Sequence, residues 1–214
     1  MDPAFPCLHL ITDARPGRDA VAVVTAAVAA ARGLGSAGRL AVQVRVEDDV
    51  TDRAAYELAA AVVGLCRPAG VLCLVNDRLD VALAVGADGG HVGADDLPVA
   101  AARRVLGPAA VLGGTCRDEA AARAAVADGA SYLGVGPAFL TVTKSGLPAP
   151  LGVARIGSVA ASVPGVPVVA IGGVTAQNAP ELRRAGAAAV AVVGAVADAA
   201  DPGEATGRLL KALS

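Results

Sequence analysis

The chain has 214 residues and a formal net charge of −2, and it is 55% hydrophobic but only 2% aromatic, so its core has to be built from Val, Ala, Leu and Ile. That length suits one barrel-sized domain spanning 1–214. The near-balanced charge, with Lys and Arg scattered, offers no field for a polyanion and argues against nucleic acid as a partner. Residues 156–180 carry no charge, but Pro164, Pro167 and the Gly172-Gly173 pair break them as a membrane helix.

Short β-branched runs alternate with Ala-rich ones along the chain. In order, the pattern predicts a strand at Leu8–Thr12 and a helix at Asp19–Arg32, then Leu40–Val46 with Asp52–Cys66, and Val71–Asn76 with Leu79–Val85. It continues with Gly90–Val92 and Val99–Leu106, Ala110–Thr115 and Asp118–Ala127, and Tyr132–Gly136 and Val153–Ala161. Pro167–Ile171 with Ala176–Ala185, and Ala189–Val193 with Glu204–Ala212, close the series at eight alternations. Strict alternation implies a parallel sheet, and eight units in this length imply a closed (β/α)8 TIM barrel, with a doubly wound open sheet as the alternative. Asp52, Asp118 and Thr175 suit helix starts, and Gly129 and Gly186 suit helix stops.

The four cysteines, Cys7, Cys66, Cys73 and Cys116, form no C-x-x-C pair and have no His at ligand spacing, so buried reduced thiols are expected. The start lacks a basic segment followed by an apolar one, so no signal peptide is expected and the location reads as cytoplasmic.

In a barrel the chemistry sits at the carboxyl ends of the strands. Asp77 and Asp96 each end an apolar run, nineteen positions apart, about one strand-plus-helix unit. Neighbouring parallel strands lie about 4.8 Å apart, so the two carboxylates are placed to share one Mg²⁺ beside a phosphate. Each also suits a helix N-cap. Gln43, Arg45 and Glu47 alternate along one strand, which reads either as a clamp for phosphate oxygens or as a self-contained Arg45–Glu47 ion pair. His91 is either a ligand contact or a packed rim histidine. Asn76 precedes Asp77, and Thr115 brings a hydroxyl to the end of the fifth strand.

The longest irregular stretch, 134–150, holds Thr141, Thr143 and Lys144 among Gly and Pro, the makeup of an ordered, movable lid. Lys144 reads as a phosphate contact, a solvated loop lysine or a Schiff-base nucleophile. Gly173 and Gly194, after the seventh and eighth strands, allow close approach of an anion, with a helix N-terminus expected directly after Gly173.

Together these residues resemble the thiamine phosphate synthase family over nearly the whole chain. Its Q-L-R-x-K pattern is similar to Gln43-Val44-Arg45, and its N-D-R…A-D-G-x-H-x-G-x-x-D-L block is similar to Asn76–Arg78 and Ala87–Leu97. Its G-P-x-x-x-T-x-T-K loop resembles Gly136-Pro137 and Thr141–Lys144, and its P-V-x-A-I-G-G pattern resembles Pro167–Val174.

The resemblance implies a Mg²⁺-dependent transferase that joins hydroxymethylpyrimidine diphosphate to thiazole phosphate and releases pyrophosphate. It implies that Asp77 and Asp96 hold the metal, that Arg45, Asn76, Thr115 and Lys144 contact the pyrophosphate, and that Gln43 and His91 bind substrate. Thr141 and Thr143 would touch the thiazole side, and Gly173 and Gly194 its phosphate. The implied partners are these small phosphorylated molecules, with homo-oligomer formation left open. Three positions depart from the pattern: Glu47 stands for a lysine, Ala94 for a polar residue, and Gly194 for a serine. The rival readings are a metal-independent thiazole tautomerase relative, a Schiff-base lyase using Lys144, and a phosphate-binding barrel without turnover. The tautomerase resembles a site with a histidine after strand five, where this chain has Thr115-Cys116-Arg117.

Overall fold

The computed structural model describes residues 5–141 and 146–214. Eight parallel strands close into a barrel in sequence order: β1 (Leu8–Ile11), β2 (Leu40–Val44), β3 (Leu72–Asn76), β4 (Gly89–Val92), β5 (Val111–Cys116), β6 (Tyr132–Val135), β7 (Val168–Ile171) and β8 (Ala189–Val192), with β8 pairing back onto β1. Outside them lie α1 (Ala20–Gly33), α2 (Asp52–Cys66), α3 (Leu79–Val85), α4 (Val99–Leu106), α5 (Glu119–Ala127), α6 (Gly152–Ser162), α7 (Ala179–Arg184), α8 (Gly194–Ala197) and α9 (Pro202–Ala212). The closed barrel expected from the alternation is therefore present, and the open sheet is excluded. Among the described residues no helix is long and apolar enough to cross a membrane.

The helices form for legible reasons. Asp19 accepts from the Ala22 amide at the start of α1, whose buried stripe of Val24, Ala27, Val28 and Ala31 follows helical spacing. Thr51 caps α2 and leaves Asp52 in its first turn, while Asp118 and Asp201 cap α5 and α9. The short helix α8 was not expected from the sequence, because four residues are too few for a helical period to show. All four cysteines are buried and unbridged.

Two elements differ from expectation in ways that matter for the site. The strand predicted to reach Val46 ends at Val44, because the Thr12 hydroxyl takes over the Arg45 backbone, accepting from its N–H and donating to its carbonyl at 2.8 Å each. The helix predicted from Ala176 begins at Ala179. The Asn178 side chain accepts from the Thr175 amide at 2.8 Å and donates to the Gly173 carbonyl at 3.0 Å, which holds 176–178 as a turn. Thr175 is thus not the N-cap, and the helix after Gly173 starts three residues later than expected.

The apolar core has two parts. The larger lies between strands and helices, and the smaller fills the barrel, with Ile11, Leu74, Tyr132, Val169, Ala189 and Ala191 buried there. Phe5 closes the amino-terminal end of the barrel, its ring centroid 5.2 Å from that of His9 and 5.4 Å from that of Tyr132. Gly134 on β6 lines the functional cavity, which opens at the carboxyl end.

Candidate active site

A cavity of about 720 Å³ opens at the carboxyl ends of the strands. Gln43, Asn76, Asp77, His91, Asp96 and Thr115 line it from β2 to β5, and Thr141, Gly173 and Gly194 line it from the opposite side. The rim is where a barrel carries its chemistry. The register explains part of the convergence: Asn76 pairs with His91 across β3 and β4, so their side chains reach one level of the barrel.

Neither aspartate caps a helix. Arg78 and Pro98 stand at the starts of α3 and α4, and neither helix has a side-chain cap. Asp77 is the described non-glycine residue with a left-handed backbone, φ 59°, a conformation that Asp and Asn tolerate better than most. Its amide donates to the His91 carbonyl at 2.8 Å, and its carboxylate accepts from the Asn76 side-chain amide. Asp96 accepts from the Gly93 amide at 2.9 Å through Oδ2, and Asp95 beside it also lines the cavity. Among the described residues no group of three or more His, Cys, Asp or Glu side chains is placed to hold a metal ion.

Arg45 is placed differently from the cavity-facing clamp. Its guanidinium faces Glu47 in a two-point ion pair, Nη1 to Oε1 at 3.3 Å and Nη2 to Oε2 at 3.4 Å, and neither residue lines the cavity. Because the strand has already ended at Val44, the alternation that would have put Glu47 on the inward face does not continue to it. Arg78 is also engaged elsewhere, with Asp52 and with the Val50 carbonyl at 2.6 Å.

His91 is buried among partners at the cavity wall. Its Nδ1 lies 3.0 Å from the Tyr132 hydroxyl and its Nε2 2.9 Å from Thr115 Oγ1. Burial holds its pKa down to about 4, so the ring is neutral at physiological pH. His9, deeper in the barrel, is lowered to about 3, first by burial and then by the neighbouring His91, and among the described residues its Nε2 has no hydrogen-bond partner.

The double glycine has a second neighbour besides any ligand. Gly172 and Gly173 have φ 97° and 65°, and the chain after β6 runs across them. A Cβ on Gly172 would lie 2.5 Å from the Pro137 side chain, and one on Gly173 would lie 2.4 Å from the Leu140 carbonyl oxygen. The Ala138 and Phe139 amides donate to the Ile171 and Gly172 carbonyls at 2.7 and 3.0 Å. These glycines thus admit the β6 loop as closely as they would admit an anion. The Gly194 contribution is clearer, since this residue opens α8 at the cavity wall. Thr143 and Lys144 lie outside the described residues.

Tyr132 and Arg117 are among the cavity residues not singled out as candidates from the sequence. Tyr132 accepts from the Gln43 amide at 3.3 Å and reaches His91; the inward spacing of Tyr132 and Gly134 on one strand was the available signal. Arg117 donates to the Gly136 carbonyl at 2.6 Å and to the Ala149 carbonyl at 2.8 Å, tying together the two ends of the long loop. Nothing in its local sequence announces that role.

Comparison with known proteins identifies the family and the fold. The family model described as thiamine monophosphate synthase matches residues 8–196. The chain is 61% identical over 207 residues to the thiamine-phosphate synthase of Salinispora arenicola, covering 97% of each chain. It is 46% identical over 208 residues to that of Chloroflexus aurantiacus, covering 96% of this chain and 91% of the other. Among solved structures, thiamine phosphate pyrophosphorylase from Pyrococcus furiosus superposes with a TM-score of 0.85 at 33% identity, covering 99% of this chain and 96% of that one. 3-Hexulose-6-phosphate synthase, at 20% identity and a TM-score of 0.69, shares the barrel alone. With the family model spanning β1 to α8 and relatives matching end to end, the chain belongs to the thiamine monophosphate synthase family.

Proposed function

We propose that this chain is a thiamine-phosphate synthase, a transferase that joins hydroxymethylpyrimidine diphosphate to thiazole phosphate with loss of pyrophosphate. The observation that carries this is the convergence of Asp77, Asp96, Asn76 and Thr115 on one cavity, with Gly173 and Gly194 on its far side. The bond from the pyrimidine methylene carbon to the diphosphate oxygen breaks with its electron pair leaving on oxygen. The thiazole nitrogen then donates its lone pair to that carbon. Charge develops on the leaving group, so catalysis here is positioning and electrostatic stabilisation.

The two carboxylates suit Mg²⁺, which is usually held by one or two carboxylates and completed by substrate phosphates and water. Asp77 and Asp96 would hold it, and it would neutralise the departing pyrophosphate. Asn76 keeps Asp77 oriented through its side-chain amide, and the Gly93 amide does the same for Asp96. Thr115 and Gln43 supply polar contacts from the barrel interior. Lys144 and Thr143 are assigned to the pyrophosphate and the thiazole side on the resemblance. The carboxylate pair favours this reading over the metal-independent tautomerase.

Arg45 would reach the pyrophosphate only by leaving Glu47. The pair is part-exposed, 19% and 34% for the two side chains, so its strength is about 1 kcal/mol. Glu47→Gln should therefore lower KM for the diphosphate about five-fold with kcat little changed, as read by steady-state kinetics.

Turnover tests the proposal. Chromatography of a mixture of both substrates with Mg²⁺ should show thiamine phosphate, and omission of either substrate should abolish it. Absence of product from folded protein would overturn the assignment.

A further inference from the structure

Four side chains from four strands form an unbroken hydrogen-bonded line through the barrel interior: Gln43 on β2, Tyr132 on β6, His91 on β4 and Thr115 on β5. The direction of the protons along it follows from what each atom can do. The Gln43 Nε2 only donates, so at 3.3 Å it donates to the Tyr132 oxygen. The single proton of that hydroxyl then points to His91 Nδ1, 3.0 Å away. A neutral imidazole accepting at Nδ1 carries its proton on Nε2 and donates it to Thr115 Oγ1 at 2.9 Å. Thr115 has thereby received a hydrogen bond, and its own proton is free to point elsewhere. Its side chain lines the cavity.

The surrounding packing keeps this line in place. Gly113 pairs with His91 on one side and with Tyr132 on the other, and lacking a side chain it lets the two rings meet. A Cβ there would lie 2.2 Å from His91 Nδ1 and 2.2 Å from Tyr132 Cζ. Gly134 makes the same allowance for the other edge of the imidazole, where a Cβ would lie 3.0 Å from Cε1. The two ring centroids lie 5.5 Å apart.

We propose that Tyr132 is a positioning residue: its hydroxyl locks His91 in the Nε2–H tautomer, so that Thr115 presents its hydroxyl proton to a phosphoryl oxygen of the bound diphosphate. This rests on the synthase reading for the identity of the ligand, but not for the state of His91. Reversing the line would need either the Gln43 amide turned to present its oxygen to Tyr132, or a Tyr132 oxygen that accepts from both Gln43 and His91 and turns its own proton away from both. His91 would then carry its proton on Nδ1, and Thr115 would spend its own proton on the ring.

The test separates these cases before any substrate is added. The chain has two histidines, so ¹⁵N-histidine labelling gives two rings, and a His9→Leu variant removes the signals of one. His91 should show a protonated Nε2 and a pyridine-like Nδ1 in the ligand-free protein; a protonated Nδ1 overturns the proposal whatever the enzyme turns over.

Tyr132→Phe, which removes only the hydroxyl, should leave His91 as a mixture of tautomers. It should also lower kcat/KM for the diphosphate about ten-fold, the worth of one neutral hydrogen bond. In a Thr115→Val background the same change should cost nothing further, because both substitutions break one line. Full additivity of the two losses would show that Tyr132 acts on stability alone. Should Tyr132→Phe fail to fold, the tautomer in the wild-type chain decides, together with Thr115→Ser, which keeps the hydroxyl and should keep activity where Thr115→Val does not.

Discussion

Replacing either cavity aspartate by asparagine should lower kcat about a hundred-fold, the loss typical of removing one preorganised electrostatic contact to a developing negative charge. Asparagine is the informative substitution at both positions. It tolerates the left-handed backbone of Asp77, φ 59°, and its carbonyl oxygen still accepts from the Gly93 amide at position 96, where the carboxylate now does so at 2.9 Å. Shape and local hydrogen bonding are therefore kept while one charge is removed. If the two carboxylates serve one ion, the double variant should lose little more than either single variant, since residues acting as a unit are not additive. Titrating Mg²⁺ into the protein with inorganic pyrophosphate, by calorimetry, gives a second readout: each variant should weaken the metal-dependent heat. A double variant with wild-type kcat and unaltered Mg²⁺ dependence would show that these carboxylates do not serve the metal.

Gly113→Ala should destabilise the fold by about 3 kcal/mol, at the upper end of the usual cost of forcing a methyl into a packed core. For a chain of this size that is a fall in Tm of roughly 6–12 °C. The new Cβ would lie 2.2 Å from atoms of two buried rings, His91 and Tyr132, and 2.5 Å from the Tyr132 hydroxyl, and neither ring is a flexible chain end that swings aside. Activity should fall with stability, because relieving the overlap parts the tyrosine from the histidine. Gly64→Ala is the control. It lies within α2 with nothing within 4 Å of its added Cβ, and removing glycine from a helix interior should stabilise by about 0.5–1 kcal/mol. Calorimetric melting of both variants checks the pair, and a Gly113→Ala protein with unchanged Tm and turnover would contradict this account of the interior.

These two outcomes mark what could and could not be read in the sequence. The barrel was legible because short apolar runs, such as Val168–Ile171, alternate with longer Ala-rich ones, several of which have a polar start, such as Asp118 before α5, so the alternation repeats often enough to count. Asp77 and Asp96 were legible as a pair because each ends a strand run. The sequence could not tell a capping aspartate from a cavity one, since both stand before helices; the absence of side-chain caps on α3 and α4 distinguishes them.

For Arg45 and Glu47 the ion-pair alternative is the one the structure shows, and the cavity-facing clamp failed for a different reason. Period-two reasoning holds only while the strand lasts, and the Thr12 hydroxyl, thirty-three residues away, ends the ladder at Arg45. Long-range side-chain contacts of that kind leave no local pattern. The same is true of Arg117, whose partners lie nineteen and thirty-two residues further along. Gly172-Gly173 was legible as a place of close approach, but the chain that makes the approach, Pro137 to Leu140, shows only in three dimensions.

In the proposed reaction this cavity exchanges one bond to a diphosphate for one bond to a thiazole nitrogen. The most direct measurement is ³¹P NMR of the purified chain with hydroxymethylpyrimidine diphosphate, thiazole phosphate and Mg²⁺. The diphosphate signals should be replaced by pyrophosphate, with one thiamine phosphate formed for each pyrophosphate released. Pyrophosphate without thiamine phosphate, or unchanged spectra from folded protein, would contradict it.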